Sequence, residues 1–198
     1  MRPLTPADLL SLEDYDRARP AFRIRAIAHQ NRRRVYVGPD VTLAFEDRLT
    51  VRYQIQEMLR IERIFEREAI AEELAAYNPL VPDGTALTAT MMLEFPDPEE
   101  RRCSLARLRG IEETVAMRVG GAPPVRARAD EDLPRANAEK TSAVHYLRFP
   151  LDAEARAVFR TGPVTLAIEH PHYRHATELD EEVRALLAGD FAAEPPAD

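Results

Sequence analysis

Between Phe45 and Glu66 the apolar residues recur at three- and four-residue spacings, with Val51, Ile55, Met58, Leu59, Ile61 and Phe65 forming one stripe. This period predicts a long amphipathic helix, N-capped by Asp47, running to about Glu68 and burying the stripe. A shorter helix follows over 69–77 and is stopped by Asn78-Pro79. Upstream, Thr5-Pro6-Ala7-Asp8 combines a cap, a proline at the first helical position and an acid three residues after the cap, which predicts a short helix to about Tyr15. Pro20 is expected to open a second helix ending near Arg33, with Phe22, Ile24 and Ile27 as its apolar contacts. Residues 35–37 and 41–45 flank Gly38-Pro39-Asp40 and read as a small hairpin.

From Thr85 the period shortens to two. Leu87, Ala89, Met91, Leu93 and Phe95 share one strand face, and shorter alternations follow at Val115–Val119, at 125–129, at 143–149 and at 164–170. Asp97 and Asp152 begin helices between them, and a last helix carries Leu179, Val183, Leu186 and Leu187 to Gly189. Residues 130–140 read as a polar loop, and the tract after His170 as an exposed loop. The order strand, helix, strand, short strand, strand, helix, strand predicts an α+β fold of the ferredoxin-like split βαβ kind. It would be a mainly antiparallel sandwich with helices on one sheet face and an N-terminal helical extension and hairpin. Residues 1–84 form that N-terminal segment, 85–190 the sandwich and 191–198 a disordered tail, with the first two in one compact unit.

Composition narrows the class. At 198 residues, 45% hydrophobic and 31% charged, the chain can bury a sizeable core. No apolar run approaches the ~18–20 residues of a membrane span, and MRPLTPADLL lacks an apolar signal core, so no membrane and a cytoplasmic location are expected. Charge is uneven: residues 1–34 hold eight arginines against four acids, whereas the whole chain carries −7. An acidic chain is a poor nonspecific nucleic-acid binder. The basic start suggests docking of the N-terminal helices on an acidic surface, either intrachain or across a homodimer.

The chemistry-bearing residues are few. Cys103 stands alone, so no intrachain disulfide or multi-cysteine cluster can form, and its place in a helix suggests a small packed residue. His145 and His170 fall on the apolar faces of their strands and read either as a metal-binding or proton-relaying pair or as hydrogen-bonded core histidines. In a split βαβ sheet, at about 3.3 Å per residue, they would stand roughly 15 Å apart, too far to share a metal. Pro171 argues against a metal tract in HPHYRH. Gln54, Glu57, Arg60 and Glu62 border the long helix's stripe, either as a solvated ion-paired flank or as ligand-facing groups of a polar pocket that His145 could join. No phosphate loop, dinucleotide fingerprint or nucleophile elbow is present, and no cofactor can be named.

FEDRLTVRYQIQEMLRIERIFE at 45–66, ELAAYNPLVPDGT at 73–85, EFPDPEERRCSLARLRGIE at 94–112 and EKTSAVHYLRF at 139–149 resemble a bacterial family described as domain of unknown function 3501. The resemblance covers nearly the whole chain except the acidic tail. It implies a single-domain bacterial protein, often encoded near rubrerythrin-like and iron–sulfur oxidoreductase proteins, and brings no catalytic residue with it. The expectation is a non-catalytic accessory protein of a redox or peroxide-response system, with an iron–sulfur or rubrerythrin-like partner. The alternative is a metal- or small-ligand-binding enzyme built on His145, Glu57 and Glu62, with Arg60 as anion clamp.

Overall fold

The computed structural model describes residues 1–129 and 140–191. The expected loop at 130–140, all but Lys140, and residues 192–198 of the tail lie outside the described residues. Phe191, assigned to that tail, instead packs edge-on against Phe159 and belongs to the core.

Helix α1 (Leu12–Asn31) crosses helix α2 (Arg48–Glu62), and α3 (Arg67–Tyr77) follows. Strands β1 (Arg34–Tyr36), β2 (Val41–Phe45), β3 (Ala86–Leu93), β7 (Val144–Pro150) and β6 (Arg128–Ala129) form one sheet, in that order. Strands β5 (Val125–Arg126), β4 (Val115–Val119), β8 (Val164–His170) and β9 (Tyr173–Glu178) form a second. Every neighbouring pair is antiparallel. Helices α4 (Pro98–Arg107), α5 (Ala153–Phe159) and α6 (Glu181–Ala188) add Leu105, Phe159 and Leu187 to the single core enclosed by the two sheets.

The fold is thus α+β with antiparallel sheets, but the single ferredoxin-like sheet with helices on one face does not form. That arrangement would seat β8 beside β3; β2 already occupies this edge, pairing Leu43 with Met91 and Phe45 with Ala89. β4 and β8 therefore pair with each other in a second sheet. Alternation sets which face a strand buries and leaves its partner open. The sheets meet along one side through residues 125–129, where Ala127 N–H donates to Val115 O at 2.9 Å between β5 and β6. Along the other side, side-chain hydrogen bonds link β9 to the β1–β2 hairpin. Tyr173 Oη donates to Val37 O at 2.8 Å and accepts from Asp40 N at 3.0 Å, and Thr177 Oγ1 donates to Tyr36 O at 2.7 Å. Gly38, at φ +78°, is required here: a Cβ would stand 2.6 Å from the Tyr173 hydroxyl and the His175 ring.

Helical limits differ from the periodic reading in three places. The first helix is one 3-10 turn, Pro6–Asp8, because Leu4 N is drawn to Asn78 Oδ1 (2.7 Å) and Leu10 N to Gln56 Oε1 (2.6 Å), and Ser11 then caps α1. Pro20 does not begin a helix but lies inside α1, whose flanking Tyr15, Arg19 and Phe22 are held by α2. Helix α2 stops at Glu62 because Arg63 turns left-handed (φ +56°). Val51, Ile55 and Leu59 are buried with Leu74 and Leu80, whereas Ile61 and Phe65 are 64% and 70% exposed. The tract after His170 forms a tight turn and the edge strand β9. Cys103 is exposed on α4 and is not a packed residue. Among the described residues, no helix is long and apolar enough to cross a membrane.

Candidate functional site

The densest buried chemistry lies where β2 runs into α2. Apolar alternation ends at Phe45, and two acids follow it directly. Asp47 caps α2, with Oδ1 accepting from Leu49 N at 3.0 Å and Thr50 N at 2.9 Å. Its other oxygen receives His29 Nε2, from the last turn of α1, at 2.5 Å and lies 3.4 Å from Arg33 Nη1. Arg33 is 1% exposed. It donates to Phe45 O at 2.9 Å and Glu46 O at 3.1 Å and forms an ion pair with Asp190 from the C-terminal turn Gly189–Phe191.

Glu46 points the other way, beneath α2 and onto the first sheet. Its carboxylate accepts from Thr50 Oγ1 at 2.5 Å, Gln54 Nε2 at 2.9 Å and Thr90 Oγ1 at 2.6 Å. Burial pushes its pKa up, more than these three donors hold it down. Asp47 moves the other way: burial opposes ionisation, but His29, Arg33 and the Thr50 N–H hold its carboxyl below the usual range. Asp190 shares Arg33 with Asp47, and burial raises its pKa to about 6. The junction therefore contains one carboxyl whose pKa is held down beside two whose pKa values burial raises. His29 is partly exposed and is held in place by its contact with Asp47.

Of the residues expected to bind a ligand, Gln54 joins this network. Glu57 does not: its carboxylate accepts from Tyr15 Oη at 2.6 Å and from both Nε and Nη2 of Arg19, at 2.7 and 2.8 Å. Arg19 holds the Glu57 carboxyl below its usual range against partial burial, and burial with the Glu57 contact pushes the Tyr15 hydroxyl up. Arg60 donates to Asp16 at 3.1 Å, and Glu62 is exposed at the end of α2. The flank of α2 is thus the seam against α1.

His145 is buried in β7, its Nε2 2.9 Å from Thr141 Oγ1, 3.0 Å from Ser142 O and 3.8 Å from Glu112. Glu57 and Arg60 instead make their ion pairs with Arg19 and Asp16 of α1. His170, in the other sheet, lies 3.1 Å from Arg109 O through Nε2, and its Nδ1 accepts from His172 N at 3.2 Å. His170 thus holds the α4–β4 connection at Arg109, whereas His145 bonds the segment that leads into its own strand. Among the described residues, no three His, Cys, Asp or Glu side chains cluster as a metal site requires. The sequence reading missed His29, Arg33, Glu46 and Asp190. Its one available signal was the Glu46-Asp47 doublet placed directly behind an apolar strand.

A family profile described as "Protein of unknown function (DUF3501)" matches residues 3–191. A crystal structure described as a novel protein of unknown function from Burkholderia pseudomallei K96243 is 49% identical, with a TM-score of 0.91, covering 96% of this chain and 100% of that one. Comparison with curated proteins finds no match.

Proposed function

The chain belongs to the DUF3501 family of proteins of unknown function, and from its geometry we propose that it is an accessory binding protein that docks a partner protein. The observation that supports this reading is apolar surface carried on the helical layer. Ile24 is 72% exposed on α1, and Ile61 and Phe65 are exposed where α2 ends. Arg23 and Arg25 flank Ile24 on α1 and are exposed, and arginine beside large apolar groups is a composition that interfaces favour. An acidic partner surface complements this helix. The setting that the family resemblance implies makes an iron–sulfur or rubrerythrin-like protein the first partner to test, with any cluster on the partner's side.

The experiment is purification at native expression of the wild type, Ile24→Glu and Phe65→Glu. A stoichiometric companion should accompany the wild type and be lost from both variants, whose unfolding midpoints stay unchanged. Wild type recovered without a companion, or variants that keep it, would reject the reading. A second copy of the chain is the other occupant we propose for this basic face. Light scattering at low and high salt separates the two, because a charge-assisted dimer dissociates as salt rises and a monomer at low salt assigns the face to a different protein.

A further inference from the structure

At the far edge of the first sheet, β6 and β7 place Arg128 directly opposite Arg148. Facing residues of an antiparallel pair point to the same side, and like charges there repel. Thr88 is the other register partner of Arg148, and it donates to Leu80 O at 2.5 Å, so this is the helix-covered side of the sheet. Asp83 answers one of the two charges, 2.6 Å from Arg148, with its other oxygen taken by the Thr85 N–H and hydroxyl. Arg128 is exposed and makes no ion pair among the described residues. The pair is left with one net positive charge.

These arginines line a cleft of about 450 Å³ between α3, the turn after it and the sheet. The size lies in the range of roughly 300–1,000 Å³ that holds small ligands. Ala75 and Ala76 form the α3 wall, where larger side chains would fill the space, and Leu80 and Tyr146 continue an apolar lining. The Thr88 hydroxyl is already spent on Leu80, so charge at this site is concentrated in the arginines. We propose that the cleft binds an anionic amphiphile, a carboxylate bearing an aliphatic or aromatic body, with the body between α3 and Tyr146 and the carboxylate bridging Arg128 and Arg148. The apolar walls select against a bare anion, and the facing guanidinium groups against a neutral or cationic amphiphile. This site is independent of the docking face on α1 and α2.

Calorimetric titration of the full chain with decanoate, butyrate and decylamine tests the assignment. Decanoate should bind saturably at one site, with butyrate and decylamine at least about tenfold weaker. Arg128→Ala, an exposed position, should weaken decanoate about tenfold, and Ala76→Trp should abolish binding by filling the cleft, with both unfolding midpoints intact. Absence of saturable decanoate binding, or decylamine matching decanoate, overturns the proposal. So does decanoate affinity unchanged in either variant. Butyrate matching decanoate would reduce the site to a surface anion contact and overturn it equally.

Discussion

Arg33 is one cation between two carboxylates, Asp47 and Asp190, and the division between them has a pH signature. Asp47 holds His29 as well and its pKa is pushed down; Asp190 is the acid pushed up, from 3.8 to about 6. Between about pH 4 and about pH 6 the folded chain retains a proton on Asp190 that the unfolded chain releases, so this group makes stability fall as pH rises through that window. The shift corresponds to at most about 3 kcal/mol. Asp190→Asn should remove this component, read as the change in urea unfolding free energy between about pH 4 and about pH 7 for variant against wild type. Asp83, held down to about 2 by Thr85 and Arg148 against its burial, gives the opposite slope at lower pH and cancels in the comparison. An equal slope in both proteins would remove the role given to Asp190. Little of this cluster was legible in the chain. Arg33 is one of three consecutive arginines and Asp190 lies 157 residues away from it, so nothing local marks their pairing.

Among the elements, α1 contains the clearest local conflict. Pro20 sits in its interior, where it removes a backbone hydrogen bond and crowds the preceding turn. The helix persists because tertiary contacts on both sides of the proline hold it: Tyr15 and Arg19 on Glu57, and Phe22 stacked on Tyr53. Pro20→Ala should therefore stabilise the protein by about 1–3 kcal/mol in urea unfolding, and a loss of stability would show that the proline positions the helix. The same conflict explains the two-helix reading, since propensity alone ends a helix before a proline. Strands with a buried face were legible, as Leu87, Ala89, Met91 and Leu93 all turned inward. β9 was not: only Tyr173 among its six residues is buried, which leaves no alternation to read.

For the whole molecule, the decisive fact is that β2 lies between β1 and β3 in one sheet. The boundary at residue 84 separates N-terminal helices from later strands in sequence but divides a single core, to which Leu43 and Phe45 contribute beside Met91 and Phe149. A fragment spanning 85–191 would lose those side chains and expose the long edge of β3. It should show no cooperative thermal transition, whereas the full chain unfolds in one; a folded fragment with a sharp transition would contradict this. Such pairings join distant residues, which is why strand content could be read from periodicity and strand order could not.

The closure between β9 and the β1–β2 hairpin rests on two hydroxyl groups, those of Tyr173 and Thr177, with no backbone ladder among the described residues. Elsewhere neighbouring strands are zipped by rows of amides. The least costly opening of this protein is therefore a fraying of the edge strand β9 along that line, like a clasp loosening while the core and the join at residues 125–129 stay shut. Native-state deuterium uptake should find β9 amides exchanging through such partial openings, at free energies below the global value that governs β3 and β7. Tyr173→Phe should hasten exchange there while leaving the centre of the first sheet protected.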